Sequence, residues 1–283
     1  FKFHTKILIL ILQFSTKIPI QKCNFPIDYD SKILLLGSCF AENIGRKFEY
    51  FKFQSTTNPF GIIFNAVSLE KLIRRAVENR TFTENDIFFH NDLWHCYEVH
   101  SELSNSDKDV FLESLNDLIS STNKKLSDST HIIITLGTSW VYRLRQAQSD
   151  SDGVVANCHK VPQKEFTKEL LSIQQIEESI ESIISLVHSV NPNCKFIFTV
   201  SPVRHIKDGF IENTLSKAHL IADKNQKIGT KTQNTNYFPA YEIMMDELRD
   251  YRFYTEDMLH PNQIAIDYIW IKFFENYISK SEF

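Results

Sequence analysis

Residues 32–45, which read KILLLGSCFAENIG, constrain the fold more than any other part of the chain. The four apolar residues 33–36 run without interruption up to Gly37, which is typical of a central strand buried on both faces of a parallel sheet. Apolar residues then recur every three or four positions from Phe40 to Phe51, which predicts a helix. Ser38 therefore lies between the carboxyl end of a strand and the amino end of a helix, where open α/β sheets bind ligands.

Ser38 has both a catalytic and a structural interpretation. The free N–H groups of a helix's first turn carry partial positive charge, so they would stabilise an oxyanion that forms beside the Ser38 hydroxyl. Serine is also a preferred helix N-cap, and a strand-Gly-Ser-helix junction occurs in many non-catalytic proteins. A nucleophilic serine needs a general base, so the catalytic interpretation depends on a partner elsewhere in the chain.

The sequence DMLHP, residues 257–261, offers that partner near the carboxyl end. A histidine removes the proton of the serine hydroxyl, and an acceptor on its other ring nitrogen fixes its tautomer. Asp257 and His260 supply both groups from one tight turn, and Pro261 disfavours a helical conformation at His260. The structural alternative is that Asp257 caps the closing helix while His260 packs beside Trp270.

Together, the two ends of the chain resemble the GSCFA family, whose name is spelled by residues 37–41. These proteins look like a branch of the SGNH or GDSL-like hydrolases, in which a serine after the first strand works with a late Asp-x-x-His. The resemblance extends from about residue 17 to the C-terminal helix. Other segments similar to the family's are residues 58–61, 136–140, 157–160, 201–204 and 237–242.

The resemblance implies a three-layer α/β/α sandwich with a mostly parallel central sheet, of the SGNH-hydrolase or flavodoxin-like type. It also implies a serine-dependent acyl-ester hydrolase with Ser38, His260 and Asp257 as its triad, acting on an acylated carbohydrate or another small ester. Neither a metal nor an organic cofactor is required for this chemistry. Acyl transfer to a sugar or polyol, and a catalytically inactive ligand-binding module of the same fold, remain as alternatives.

The resemblance further indicates where the oxyanion and the substrate are bound. Gly61 is either the backbone donor expected from the second block of such enzymes or a turn glycine whose dihedral angles require it. Ser139 replaces the asparagine of their Gly-x-Asn block, which leaves the third donor open because a serine is shorter. Arg204 either binds an anionic or carbonyl group or forms a structural ion pair. The full set of expected oxyanion or substrate-binding residues is Cys39, Asn58, Gly61, Gly137, Thr138, Ser139, Asn157, His159 and Arg204.

Cys39 is also a rival nucleophile, because the amino end of a helix lowers the pKa of a thiol.

A second rival chemistry is metal-dependent hydrolysis through residues 88–100, which carry three histidines at five-residue intervals. Five-residue spacing suits neither one face of a helix nor one face of a strand, so we interpret this stretch as hairpin packing or a wall of the substrate site.

The remaining pattern predicts further elements of an α/β domain. Buried strands are expected at residues 131–136 and 195–200, short strands at 51–56 and 251–254, and helices at 68–78, 108–126, 166–190, 213–224, 239–250 and 264–277. Parallel strands bring their carboxyl ends to one edge of a sheet, so we expect Ser38, Gly137 and Ser201 at the same edge.

The composition limits which binding partners and which cellular compartment are expected. The chain of 283 residues is interpreted as a single domain over residues 17–283, preceded by an uncertain extension, 1–16. A formal charge of −4 without a basic stripe argues against nucleic acid as a partner. The apolar run at residues 7–12 is too short to span a bilayer, so no stable membrane association is expected. Five scattered cysteines without a C-x-x-C pair favour reduced thiols and a cytoplasmic location, and the oligomeric state stays open.

Overall fold

A five-stranded parallel sheet forms the centre of the structure, a computed structural model that describes residues 16–146, 153–223 and 234–279. In chain order the elements are β1 (Lys32–Gly37), α1 (Cys39–Tyr50), β2 (Gln54–Thr57), α2 (Ala66–Val77), β3 (Phe88–His90), β4 (Leu93–His95), α3 (Lys108–Asp128), β5 (His131–Leu136), β6 (Trp140–Leu144), β7 (Val154–Val155), β8 (Phe166–Leu170), α4 (Ile173–Val190), β9 (Lys195–Val200), α5 (Phe210–Asp223), β10 (Thr235–Phe238), α6 (Ala240–Glu242) and α7 (Gln263–Tyr277). A π-helical segment, Ile243–Glu247, continues α6. Short 3-10 helices lie at Glu84–Asp86, Ser101–Leu103, Gln163–Glu165, Ile206–Asp208 and Tyr251–Phe253.

The sheet has the strand order β2-β1-β5-β9-β10, and each neighbouring pair is parallel. Counted along the sheet strands alone, this is the 2-1-3-4-5 order of flavodoxin-like folds. The direction of winding reverses between β1 and β5, so the crevice for ligands is expected outside the carboxyl ends of these two strands. Gly37 pairs with Thr135 there, which aligns the end of β1 with the end of β5.

The two faces of the sheet bury different sets of alternating side chains. Leu34, Ile132 and Phe196 face a cluster that also contains the apolar sides of α2, α3 and α4. Ile33 and Ile133 belong to a second cluster, which includes apolar residues of α1, α6 and α7. Helices therefore cover both faces, and the expected three-layer α/β/α sandwich with a parallel central sheet is confirmed.

Smaller sheets flank this core. The antiparallel hairpin β3–β4 lies within residues 88–100, as one of the two interpretations of that stretch predicts. Strands β7, β6 and β8 form a three-stranded antiparallel sheet. Residues 1–15, with the apolar run at 7–12, and most of the loop expected at 147–153 lie outside the described residues. No helix in the described ranges combines the length and the apolar character needed to cross a bilayer.

Several predicted boundaries are wrong. The helix expected over 166–190 begins only at Ile173, because Phe166–Leu170 pairs with β6 as strand β8. Ser172 caps α4 in a reciprocal capping box with Gln175. Helix α2 begins at Ala66 with Asn65 as its N-cap, two residues before the expected start at Ser68. The stretch 251–254, expected as the last strand, contains a 3-10 helix, and the fifth strand of the sheet is β10.

Candidate active site

Ser38 lies at the reversal point of the sheet, between β1 and α1. Its N–H donates to the Thr135 carbonyl of β5 at 3.0 Å, and its Oγ accepts from the Phe40 N–H at 3.4 Å. Ser38 is therefore the N-cap of α1, as the structural interpretation predicts, and its side chain is buried. A hydroxyl at this position also satisfies the location required of a nucleophile, so the two interpretations are compatible.

The backbone before Ser38 requires a glycine. Gly37 has a φ of 129°, and a Cβ at this position would lie 2.8 Å from the carbonyl carbon of Thr135 and closer still to its oxygen. The Gly37 N–H donates to Asn58 Oδ1 at 2.8 Å. Asn58 Oδ1 therefore fixes the turn that carries Ser38, while Asn58 Nδ2 makes a long contact of 3.5 Å with Glu42 Oε1.

Asp257 and His260 form a bonded pair in one turn. His260 Nδ1 donates to Asp257 Oδ2 at 2.6 Å. The other carboxylate oxygen, Oδ1, accepts the N–H groups of His260 (3.0 Å) and Leu259 (2.8 Å) and the hydroxyl of Thr255 (2.7 Å). These hydrogen bonds hold the pKa of Asp257 well below its usual range. The carboxylate is thus ionised and fixes His260 in the tautomer that leaves Nε2 free to accept a proton.

Both parts of the structural alternative for this turn are wrong. Asn262, not Asp257, is the N-cap of α7, since its side chain accepts from the Ala265 N–H at 3.1 Å. The side chains of Asp257 and His260 are 44% and 47% exposed. They therefore face solvent rather than the buried aromatic cluster around Trp270.

The loop after β9 holds the Asp257–His260 pair at the carboxyl edge of the sheet. The Arg204 N–H donates to the Leu259 carbonyl at 3.1 Å, and Arg204 Nη1 donates to the Met258 carbonyl at 3.2 Å. Ser201 begins this loop, and its N–H donates to Leu136 at the end of β5. The expected meeting of the strand ends at one edge is thus confirmed for the ends of β1, β5 and β9.

A chain of contacts runs along this edge from Ser38 towards the pair. A Cβ at Gly137 would lie 3.3 Å from Ser38 Cβ and 2.8 Å from Phe64 Cδ1, so these side chains close around Gly137. The Phe64 ring meets the ring of His205 edge-on, with centroids 5.3 Å apart. Burial, followed by the charges of Lys217 and His260, lowers the pKa of His205 to about 3. Among the described residues no hydrogen bond joins Ser38 to His260.

Ser139 and Thr138, two expected oxyanion donors, are engaged by helix α5. The Ser139 N–H donates to Ser216 Oγ at 2.7 Å, and the Ser139 hydroxyl donates to the Ser216 carbonyl at 2.6 Å. The Thr138 hydroxyl bonds to Ser216 Oγ at 2.9 Å and accepts from the Trp140 N–H at 3.0 Å. Both hydroxyls therefore anchor α5 to the end of β5.

The expected backbone donors are also engaged. The Gly61 N–H donates to the Asn58 carbonyl at 2.8 Å within its own turn. The Gly137 N–H donates to the Phe64 carbonyl at 2.8 Å, and the Thr138 N–H donates weakly to the same oxygen at 3.3 Å. An oxyanion that used these three N–H groups would have to compete with the bonds that they already make.

Asn157 and His159 lie in a buried aromatic cluster beside the β3–β4 hairpin. Asn157 Oδ1 accepts from the His159 N–H at 2.8 Å, and His159 Nε2 donates to the Cys96 carbonyl at 2.7 Å. The rings of His159 and His95 are 4.7 Å apart, and burial lowers the pKa of His159 to about 4. Within the described ranges, none of these contacts reaches Ser38, and no cluster of His, Cys, Asp or Glu side chains is arranged to hold a metal ion.

The structure disfavours one alternative for Cys39 and one for Arg204, the cysteine nucleophile and the structural ion pair. Burial and the charge of Glu42 raise the pKa of the Cys39 thiol, in spite of its place at the start of α1. This disfavours the thiolate that a cysteine nucleophile needs. The Arg204 guanidinium lies over three aromatic rings, those of Phe210, Tyr251 and Tyr254, at 5.6–5.8 Å from their centroids. No carboxylate of the described chain pairs with it.

Lys217 is a site residue that sequence reasoning missed. Its Nζ donates to the carbonyls of Gly137 (2.7 Å) and Ser201 (2.8 Å), and the residue is 1% exposed. Burial lowers the pKa of Lys217 to about 7. The one signal in the sequence is its spacing in α5, since Asn213, Ser216 and Leu220 share its buried side.

Fold and site together define a flavodoxin-like α/β protein with a serine at the reversal point of its sheet and an Asp-His pair on the same edge. The family model described as the GSCFA family matches residues 32–273, from β1 to the last helix. The chain therefore belongs to the GSCFA family. No curated protein matches the chain.

Proposed function

We propose that this protein is a serine-dependent acyl-ester hydrolase in which Ser38 is the nucleophile, His260 the general base and Asp257 the residue that orients His260. One observation carries the proposal: an ionised Asp257 holds His260 in the base-competent tautomer on the sheet edge where Ser38 caps α1. Membership of the GSCFA family, with its resemblance to SGNH-type enzymes, supports the same assignment.

The proposed reaction has two displacement steps. The Ser38 hydroxyl gives its proton to His260 Nε2 while Oγ forms a bond to the ester carbonyl carbon, whose π electrons move to the oxygen. Collapse of this oxyanion breaks the bond to the alcohol, which leaves with the proton from His260. Water then attacks the acyl-serine, its proton passing through His260 to Ser38 Oγ, and the acid is released.

The proposed substrate is an acylated carbohydrate or another small ester. The same acyl-serine would be resolved by a sugar or polyol hydroxyl in an acyltransferase. An added acceptor separates the two outcomes: a transferase gives an acylated acceptor, whereas a hydrolase gives only the free acid.

The test is turnover of a panel of short-chain aryl and sugar acetates. Ser38→Ala and His260→Ala are expected to lose at least about 10³-fold in kcat. Ser172→Ala is the matched control, because Ser172 also caps a helix through its hydroxyl and lies outside the site. Both serine variants lose a cap worth about 1 kcal/mol, so only a chemical role of Ser38 separates their activities. Equal activity of these two variants would refute the proposal.

A ligand-binding protein without turnover is the second candidate function. It is favoured by the burial of Ser38 and by the engagement of its Oγ with the Phe40 N–H. It predicts that no ester of the panel is hydrolysed, and that Ser38→Ala binds the ligand as tightly as the wild type does. Turnover that depends on Ser38 would exclude it.

A further inference from the structure

Most of the expected donors near Ser38 already have acceptors and are not free to receive the negative charge that the proposed reaction creates. Ester hydrolysis places that charge on the former carbonyl oxygen, and removal of a single stabilising donor in such sites costs about 10²- to 10³-fold in kcat. Among the described residues, the N–H groups of Ser38, Gly61 and Gly137 and the hydroxyl of Ser139 already have acceptors. A further source of positive charge beside Ser38 would therefore add to the stabilisation of the oxyanion.

Lys217 brings a buried cation to this edge. An ammonium has three N–H donors, and two of them bind the carbonyls of Gly137 and Ser201. No acceptor for the third is found within the described residues. Lys217 binds Gly137, and a Cβ added at Gly137 would lie 3.3 Å from Ser38 Cβ. The amine thus joins the ends of β5 and β9 next to the nucleophile's junction.

The surroundings of Lys217 leave its charge uncompensated. The groups that face it are the Cys39 thiol on α1, the His205 ring after β9 and the Tyr241 ring on α6, whose centroid is 5.6 Å from Nζ. No carboxylate of the described chain forms an ion pair with Lys217. In buried surroundings the field of an unpaired ammonium is much stronger than in water, and it reaches residue 39, where it works to lower the pKa of Cys39.

We propose that the Lys217 ammonium stabilises the oxyanion formed at Ser38, in place of the asparagine that Ser139 replaces. This role rests on the proposed function. The ammonium keeps its proton through the reaction, since the proton of Ser38 passes to His260. Its contribution is electrostatic.

The experiment measures kcat and KM for an aryl acetate between pH 6 and 10 in wild type and Lys217→Met. In the wild type, kcat/KM should fall on the alkaline side as Lys217 loses its proton, near pH 7 or above. Lys217→Met should lose about 10²- to 10³-fold in kcat with little change in KM. In this variant, kcat/KM should also no longer fall at alkaline pH.

Lys195→Met is the matched control, because Lys195 lies at the opposite end of β9 and its Nζ donates to Asn234 Oδ1. A kcat in Lys217→Met within about threefold of wild type, or an unchanged alkaline fall, would overturn the role of Lys217. Should Lys217→Met not fold, the wild-type profile decides, and a profile without an alkaline fall overturns it. Absence of fluorophosphonate labelling at Ser38 in the wild type overturns the proposed function as well.

Discussion

Replacement of Gly37 by alanine tests how tightly β1 and β5 are joined behind the nucleophile. The φ of Gly37 is 129°, and a Cβ there would lie 2.8 Å from the carbonyl carbon and 3.0 Å from the nitrogen of Thr135. These atoms belong to a central strand and cannot rotate away. The two strands would have to separate by about 1 Å to restore ordinary contact distances.

Three terms set the expected loss of stability. Left-handed backbone at a non-glycine residue costs about 1–3 kcal/mol. Separation of the strands lengthens the hydrogen bond from the Ser38 N–H to the Thr135 carbonyl, now 3.0 Å, which removes about 1 kcal/mol. Strain in the packed core adds about 1–3 kcal/mol. Gly37→Ala should therefore lower the free energy of unfolding by about 3–7 kcal/mol, a large part of the 5–15 kcal/mol typical of a domain.

Gly209→Ala is the control for the backbone term. Gly209 has a φ of 116°, but a Cβ there would meet the flexible carboxylate end of Glu212 rather than a strand. Gly209→Ala should lower the free energy of unfolding by about 1–3 kcal/mol, which is about 2–4 kcal/mol less than the loss in Gly37→Ala. Urea unfolding followed by far-ultraviolet circular dichroism measures both values. Equal losses, or a loss below about 1 kcal/mol for Gly37→Ala, would refute the reasoning.

Three further predictions concern charged residues. Arg75→Leu should lower the free energy of unfolding in urea by about 3–5 kcal/mol, because it leaves the partly buried carboxylates of Asp86 and Glu98 unpaired. Arg74→Leu breaks a more exposed ion pair and should cost less than about 1 kcal/mol. Equal losses in the two variants would contradict this prediction. The pKa of Lys217 is about 7 in the folded state and about 10.4 in the unfolded state. Between these two pH values the unfolded chain binds more protons than the folded one. The free energy of unfolding should therefore rise in this range by up to about 1.4 kcal/mol per pH unit. Lys217→Met should flatten that rise in urea unfolding at pH 7.5 and 9.5, and equal slopes in the two proteins would contradict the burial argument. Asp257→Asn should lower kcat for ester hydrolysis by about 10²- to 10⁴-fold, because His260 loses the tautomer that accepts a proton. The stability of the protein should change little. An unchanged kcat would contradict this prediction.

The parts of the fold that the sequence predicts are those with a local cause. Strands β1, β5 and β9 contain long apolar runs, and such a run is the sequence pattern of a parallel strand that is buried on both faces. Helix α3 follows from its apolar period, and its start at Lys108 agrees with the expectation. The shared edge of Ser38, Gly137 and Ser201 then follows from the parallel arrangement alone.

The errors occur where distant partners decide the structure. Phe166–Leu170 carries apolar residues that also fit a helical period, and only pairing with β6 makes it a strand. Lys217 belongs to an amphipathic helix, where lysine usually faces water. Its burial depends on carbonyls that lie 80 and 16 residues away in the chain, and no local pattern contains that information. For His159, the buried contacts that hold its ring come from the distant β3–β4 hairpin region.

The most direct test of the account is to identify the residue that reacts with a fluorophosphonate. The wild-type protein is incubated with the probe, digested and analysed by mass spectrometry, with Ser38→Ala and Ser172→Ala treated in parallel. The account predicts modification of Ser38 in the wild type and in Ser172→Ala, and no modification of Ser38→Ala. A folded wild type that is not modified, or that is modified at Cys39 instead, would contradict the assignment of Ser38 as the nucleophile.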